Sequence, residues 1–251
     1  MSAFGWLVER PIAHRGLHGP ATGAVENSLS AAAAAIAAGF AIECDIQLSA
    51  DGEAIVFHDF TLDRLTGATG RLDALPASAM TAARFRAAPA EGPPTLRDLL
   101  ALIDGRTPLV CEIKSEFTGD FRLTKRALAV AEAYRGPLAF KSFDPDPIAF
   151  LRERGAGGRP LGIVAEANYD DPHWAGLSAE TRAGLAAFSH FTRTRPDFVS
   201  FNVNHLPAAA PQLCRDALGL PVMAWTVRTP ELRARALRFA DQIVFEGAGR
   251  P

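Results

Sequence analysis

The chain has 251 residues, of which 48% are hydrophobic and 22% are charged, and its net charge at pH 7 is -2. These values are typical of a soluble globular protein of one large or two small domains. The charges form no block of one sign, which argues against a nucleic-acid partner and against an electrostatic membrane anchor.

The amino terminus and the cysteines indicate the compartment. The first ten residues lack a basic start followed by a long apolar segment, so we expect no secretory signal and a cytoplasmic protein. The longest apolar run, around 31–41, is far shorter than the roughly 20 residues of a membrane span. Cys44, Cys111 and Cys214 have no paired spacing and are expected to be reduced. We expect a small-molecule partner and no stable membrane anchor, and a homodimer is compatible with the sequence.

Short apolar runs alternate with helix-like stretches along the whole chain. The candidate strands are 11–16, 41–48, 109–114, 138–143, 161–165, 198–203, 222–227 and 242–245. The candidate helices between them are 28–38, 96–104, 121–134, 147–154, 179–191, 209–218 and 230–239. Eight strands with helical crossovers in about 250 residues match a closed (β/α)8 barrel, and an open doubly wound sheet is the alternative.

One segment, 61–94, breaks this alternation. It is rich in Ala, Arg and Pro and resembles an insertion more than a domain. No internal repeat or long linker divides the chain. We therefore predict one α/β domain over 1–251, a (β/α)8 TIM barrel with a hairpin extension after strand 2 and a small insertion before helix 2.

The hairpin signal lies within residues 42–59, where two strand-like runs meet at an Asp-Gly pair, residues 51–52. If that pair forms a two-residue turn, His58 lies opposite Asp45, and alternation places Glu43 on the same face. Burying such a group is costly unless it holds a cation or lines an open mouth. The alternative is a solvated polar face on an edge hairpin.

Polar residues fall late in the predicted strands, at the end where barrel enzymes carry their functional side chains. Glu43, Asp45 and Glu112 would then lie on neighbouring strands and offer the oxygen ligands that hard cations prefer. The sequence therefore predicts one divalent cation, Mg²⁺ or Ca²⁺ in preference to Zn²⁺, with Mn²⁺ also compatible.

Two histidines and two cations are expected around this metal. His14 and His58 would approach from two sides, which suits a general acid and a general base. Arg15 and Lys114 add fixed positive charge. Such a set is suited to an anionic phosphoryl group, because metal and cations stabilise its developing charge while the histidines move protons.

Taken together, these motifs resemble the glycerophosphodiester phosphodiesterase family. The motifs that match in order are His14-Arg15-Gly16, Glu26-Asn27-Ser28, Glu43-Cys44-Asp45, His58-Asp59 and Glu112-Ile113-Lys114. Two later runs, Lys141-Ser142-Phe143 and Trp225-Thr226-Val227, look like the strand ends of the family. The resemblance implies a barrel hydrolase that uses a divalent cation to cut a glycerophosphodiester into sn-glycerol 3-phosphate and an alcohol.

The resemblance also implies roles for individual residues. The implied metal ligands are Glu43, Asp45 and Glu112. The implied acid and base pair is His14 and His58, and the implied phosphate contacts are Arg15 and Lys114.

Four further positions carry expectations that are less specific. Glu26 would lie near the metal, or is a helix-start residue favoured by the helix dipole. Asn27 would help to cap the helix that begins near Ser28. Trp225 walls the glycerol site or fills the top of the barrel. Glu246 stands where the family commonly has the shorter Asp, so the far wall of the pocket departs from the family pattern.

The sequence leaves the course of the reaction open. Attack by the glycerol hydroxyl would give a cyclic phosphate that water then opens, whereas water could also attack directly. A lysophospholipid-type lyase would share the first step and stop at the cyclic phosphate. A non-catalytic phosphodiester-binding barrel is the remaining alternative, although both histidines are present.

Overall fold

The computed structural model describes residues 4–251, so residues 1–3 of the amino-terminal segment lie outside the described part. Its strands are β1 (Ile12–Ala13), β2 (Ala41–Leu48), β3 (Ala54–Val56), β4 (Leu109–Ile113), β5 (Leu138–Ser142), β6 (Leu161–Ala165), β7 (Phe198–Asn202), β8 (Val222–Val227) and β9 (Gln242–Phe245). Its α-helices are α1 (Leu29–Ala37), α2 (Ala77–Ala82), α3 (Leu96–Ile103), α4 (Arg122–Glu132), α5 (Pro145–Arg154), α6 (Ala179–Ala186), α7 (Phe191–Thr194), α8 (Ala209–Asp216) and α9 (Pro230–Phe239).

Eight of the strands form a closed parallel ring. The hydrogen-bonded order runs from β1 through β9, β8, β7, β6, β5 and β4 to β2, and β1 also pairs with β2, which closes the ring. Strand β3 pairs with β2 in the antiparallel sense and stays outside the ring. The predicted (β/α)8 barrel with a hairpin extension after its second strand is therefore confirmed, and the open sheet is wrong.

Side-chain alternation along the strands produces two cores. Outward-facing residues such as Cys44 and Cys111 are buried against the helices, in one cluster with Ala35, Leu99 and Ala127. Inward-facing residues fill the lower barrel with an apolar layer formed by Ile12, Ala41, Val110, Ala139, Phe198, Met223 and Val244. Two residues further along these strands the inward positions become polar, so the same alternation that builds the core delivers the site.

The hairpin after β2 differs by one residue from the predicted register. Ile46 pairs with Val56, and the Ser49 amide donates to the Glu53 carbonyl at 2.9 Å, so three residues, not two, form the loop. Gly52, with φ of 85°, occupies the left-handed position that such a loop requires. His58 therefore does not face Asp45 across the ladder. It lies beyond the end of β3, where its carbonyl accepts from Gln47 Nε2 at 2.8 Å.

The segment 61–94 connects the hairpin to α3 and contains the short helix α2. Its apolar side chains form a small second core with the hairpin, built from Val25, Ile55, Phe57, Leu62, Leu72, Met80 and Phe85. The insertion is thus fixed against the barrel mouth. None of the helices within residues 4–251 is long and apolar enough to cross a membrane.

One helix and one strand differ clearly from the predictions. The predicted helix 179–191 is interrupted between α6 and α7, where Phe188 has a φ of 56° that no helix accommodates. The first strand is only two residues long, because the chain turns at Arg15 and Gly16, both with positive φ. Gly16 is required there, since a Cβ at this position would lie 2.8 Å from the Ala31 backbone.

Candidate active site

Three carboxylates converge inside the mouth of the barrel. Glu43, Asp45 and Glu112 each place an oxygen within 4.8 Å of the others, and all three residues are buried. The register explains the convergence, because Asp45 on β2 is the direct partner of Glu112 on β4, and Glu43 precedes Asp45 on the same face. The structure therefore brings together the three predicted ligands.

Three cationic side chains are interleaved with these carboxylates. Lys141 Nζ lies 2.9 Å from Glu43 Oε1 and 3.2 Å from Glu112 Oε2, and its side chain is almost fully buried. Lys114 Nζ lies 3.1 Å from Glu112 Oε1 and 3.7 Å from Asp45 Oδ1. Arg15 Nε lies 3.2 Å from Asp45 Oδ2. Each buried negative charge is thus compensated by the chain itself.

This arrangement controls the ionisation of the cluster. Burial alone would raise the pKa of Asp45, but the charges of His58, Arg15 and Lys114 outweigh burial and hold that pKa below its ordinary value. Burial likewise opposes ionisation of Glu112, and Lys114 and Lys141 lower its pKa. The carboxylates attract the lysines in return, so the pKa of Lys141 lies above its usual range despite complete burial. Asp45 and Glu112 therefore stay ionised at neutral pH.

His14 is held through one ring nitrogen. Its Nδ1 contacts Glu246 Oε1, and Glu246 Oε2 accepts from Arg228 Nε at 2.7 Å. The other nitrogen, Nε2, lies 3.8 Å from Glu43 Oε2 and so faces the carboxylates. Burial raises the pKa of Glu246, but the bonds from His14 and Arg228 lower it to about 2. Glu246, which stands where the family commonly has the shorter Asp, thus contacts His14.

His58 is held in the same way. Its Nδ1 lies 2.8 Å from Asp59 Oδ1, and its Nε2 lies 3.3 Å from Lys114 Nζ. Burial raises the pKa of Asp59, but the bonds from His58 and Arg64 bring it below its usual range. Both predicted histidines therefore present Nε2 to the cluster, from the β1 side and from the hairpin side respectively.

The loop before α1 supports the cluster, although not as the resemblance implied. The cap of α1 is Ser28, whose hydroxyl accepts from the Ala31 amide, so the prediction that Asn27 caps this helix is wrong. Instead, Asn27 Nδ2 donates to Asp45 Oδ2 at 3.0 Å, and Asn27 Oδ1 accepts from the Asp45 amide at 3.2 Å. Glu26 lies outside the three-carboxylate group and accepts from Arg15 Nη1 at 2.7 Å.

Trp225 lies on the inward face of β8, above the apolar layer of the barrel. Its indole donates to the Ser200 carbonyl at 2.9 Å, and its ring packs at 5.4 Å, edge to face, against Phe143. These contacts fix the ring at the top of the barrel and suit both of its expected roles.

Four site residues were not predicted from the sequence: Lys141, Arg64, Arg228 and Glu246 as a partner of His14. A signal existed for Lys141, because a lysine within an apolar strand pairs directly with Glu112. The two arginines lie on loops just outside the motifs, and only the fold shows that Arg64 meets Asp59 and Glu26 and that Arg228 meets Glu246.

The donor set suits a hard divalent cation. All three converging ligands are carboxylates, which Mg²⁺ and Ca²⁺ prefer, and no sulfur or imidazole is required. The interleaved lysines would share these oxygens with the ion. The residues therefore fit the predicted metal, and a group of this composition can also stabilise a bound phosphodiester between its cations.

The chain also matches a family of known proteins. A family model described as the glycerophosphoryl diester phosphodiesterase family matches residues 14–245. A comparison with curated protein sequences finds no match.

The fold is similar to several solved structures. A phosphodiesterase of Oleispira antarctica in complex with the product sn-glycerol-3-phosphate has a TM-score of 0.77 and 21% identity, over 97% of this chain and 94% of that one. A glycerophosphodiester phosphodiesterase of Parabacteroides distasonis has a TM-score of 0.73 and 19% identity, over 94% and 92% of the two chains. That of Thermotoga maritima has a TM-score of 0.70 and 22% identity, over 94% of each chain. At these identities the likeness concerns the fold.

Proposed function

The chain belongs to the glycerophosphoryl diester phosphodiesterase family, and on this basis we propose that it hydrolyses glycerophosphodiesters to sn-glycerol 3-phosphate and an alcohol. One observation carries the proposal: two histidines, each held at Nδ1 by a carboxylate, direct Nε2 toward a buried group of three carboxylates and three cations. The product in the related Oleispira antarctica structure supports a substrate of this class.

Glu43, Asp45 and Glu112 would hold one divalent cation, Mg²⁺ or Ca²⁺ in our proposal. Such an ion would act as a Lewis acid toward the phosphoryl group. Lys114 and Arg15 supply further positive charge beside the same oxygens. Their side chains are 12% and 14% exposed, so both cations border the open mouth and remain within reach of an anionic substrate.

The histidines would transfer protons during cleavage. Because Glu246 and Asp59 occupy the Nδ1 positions, the nitrogen free to exchange a proton with substrate is Nε2 on both rings. One imidazole would take the proton of the attacking hydroxyl or water, and the other would protonate the departing alcohol. Their placement on two sides of the carboxylates is the arrangement that an in-line displacement at phosphorus requires.

Replacement of either histidine by Ala tests the proposal. We expect His14→Ala and His58→Ala each to lower kcat by roughly 100-fold or more, the usual contribution of acid or base catalysis, while the proteins remain folded. Undiminished turnover in both variants would exclude this mechanism.

Phosphorus NMR of the reaction identifies the product. Accumulation of sn-glycerol 3-phosphate supports hydrolysis, whereas a cyclic phosphate that persists would assign the enzyme to the lyase alternative. Protein that binds a glycerophosphodiester without converting it would favour the binding-only barrel.

A further inference from the structure

We propose that Arg64, in the 61–94 insertion, is a positioning residue that clamps the carboxylates behind His58 and Arg15. The inference rests on the proposed function, because its consequence is the geometry of a residue that we assign to proton transfer. Nothing in the sequence motifs singles out Arg64, which lies in the loop between the hairpin and α2.

The guanidinium of Arg64 joins two carboxylates at once. Arg64 Nε and Nη2 donate to the two oxygens of Asp59 at 2.6 and 3.0 Å. Arg64 Nη1 and Nη2 donate to the two oxygens of Glu26 at 2.8 and 2.7 Å. A planar fork with two bidentate contacts fixes both the distance and the relative orientation of its partners.

Each clamped carboxylate holds one residue of the site. Asp59 accepts from His58 Nδ1, and Glu26 accepts from Arg15 Nη1, whose neighbouring Nε lies 3.2 Å from Asp45. Arg64 therefore joins the hairpin arm to the loop before α1. It thereby links His58, the proposed proton-transfer residue, to Arg15, the predicted phosphate contact. Without the clamp, Asp59 would be free to rotate and His58 would lose its fixed ring orientation.

The backbone that carries Arg64 is firmly seated. Leu62 is fully buried in the small second core, and the Thr66 amide and hydroxyl both bond to the Leu62 carbonyl, at 3.1 and 3.0 Å. These bonds close the turn between Leu62 and Thr66 and hold the backbone of Arg64 in place.

The chain offers a matched control in Arg71, from the same insertion. Arg71 also makes four hydrogen bonds to two carboxylates, Asp73 and Glu116. Its side chain is 45% exposed and that of Arg64 is 46% exposed. The carboxylates of Arg71 contact neither histidine in the described part of the chain, so Arg71→Gln removes an equivalent ion-pair network without the proposed link.

The experiment compares Arg64→Gln, Arg64→Lys and Arg71→Gln in steady-state kinetics on the glycerophosphodiester that the wild type hydrolyses best, with saturating cation. We expect Arg64→Gln to lower kcat by about 10–100-fold with a smaller change in KM, as is typical for residues that orient a catalytic group. Arg64→Lys should not restore kcat, because one ammonium cannot grip two carboxylates bidentately. Arg71→Gln should stay within about twofold of wild type.

A double-mutant cycle with Asp59→Asn shows whether the effect passes through His58. If Arg64 acts by holding Asp59, Arg64→Gln should lower kcat little or not at all once Asp59 is already replaced. A full additional loss in that background would overturn the proposal, and so would an Arg64→Gln kcat equal to that of Arg71→Gln. Complete rescue by Arg64→Lys would mean that charge alone suffices, which also contradicts the clamp.

Two further measurements keep the outcomes distinct. Thermal unfolding of all variants identifies loss of fold, and if Arg64→Gln does not fold, the same comparison with Arg64→Lys decides. His58→Ala is assayed alongside. No turnover of any glycerophosphodiester by the wild type would reject the proposed function, and wild-type turnover in His58→Ala would reject the role of His58 in proton transfer. An inactive His58→Ala with a fully active Arg64→Gln would reject the clamp alone.

Discussion

Replacing Lys141 by Met gives the sharpest physical test of the carboxylate cluster. Lys141 is buried with Nζ between Glu43 and Glu112, at 2.9 and 3.2 Å, and Met fills a similar volume without charge. Removing one partner of a buried ion pair typically costs about 3–5 kcal/mol, because the remaining charge is left uncompensated. For a chain of this size that loss lowers the melting temperature by roughly 10 °C.

A divalent cation should reverse part of this loss. Bound to the same oxygens, it replaces the missing positive charge, and at 100 times its Kd a ligand adds about 2.7 kcal/mol to the free energy of unfolding. The cation should stabilise Lys141→Met more than it stabilises the wild type, because the wild type already carries a competing ammonium in the cluster.

The assay is thermal or urea unfolding at neutral pH, in chelator and then with Mg²⁺ or Ca²⁺. Lys125→Met is the control, since Lys125 is an exposed lysine of α4. Lys141 does not compensate the buried carboxylates if Lys141→Met unfolds like the wild type in chelator, or if the cation stabilises both proteins equally.

Three further predictions concern Glu246, Asn27 and His190. Glu246→Gln removes the charge beside His14 Nδ1 and should lower kcat roughly 10–100-fold. The kcat of Glu246→Asp should lie between those of Glu246→Gln and the wild type. Unchanged kcat in both variants would mean that His14 needs no such partner. Asn27→Leu breaks both bonds to Asp45 and should lower the free energy of unfolding by about 1–3 kcal/mol, whereas the same change at exposed Asn168 should not; equal melting of the two variants would contradict this. Burial lowers the pKa of His190 from 6.5 to about 4, so the neutral ring favours the folded state above pH 6.5. The free energy of unfolding should fall by roughly 3 kcal/mol as the pH falls from 6.5 to about 4. His190→Gln should reduce this loss in urea unfolding at neutral and acidic pH, and an unchanged slope would show that His190 does not cause it.

The barrel could be predicted because its signal recurs along the chain. Most of its strands carry apolar residues at their start and a polar inward residue at or just beyond their end, and helices follow at regular intervals. Glu43, Asp45 and Glu112 could be grouped from the order of residues along the chain, since strand alternation and the common polarity of barrel strands place them at one mouth.

The hairpin shows why a correct grouping does not require a correct register. The loop has one residue more than predicted, which would move a strand residue to the opposite face. His58 still meets the cluster because β3 ends at Val56 and the chain then turns back over the mouth. Local turn preference alone does not determine where the ladder ends.

The residues that hold the histidines were the least accessible to sequence reasoning. Arg228 follows β8 and Glu246 follows β9, and their pairing with His14 depends on closure of the ring between β9 and β1. The position of Arg64 depends on the packing of Leu62 in the small second core. Loop arginines of this kind have no spacing pattern, because tertiary contacts alone determine their partners.

We propose that the mouth of the barrel cleaves glycerophosphodiesters with the help of a divalent cation. The most direct test is release of sn-glycerol 3-phosphate from glycerophosphocholine and glycerophosphoethanolamine by chelator-treated protein, with Mg²⁺, Ca²⁺ or Mn²⁺ added back. We predict release that depends on the added cation. No release with any of the three cations, from protein shown to be folded, would contradict the proposed activity.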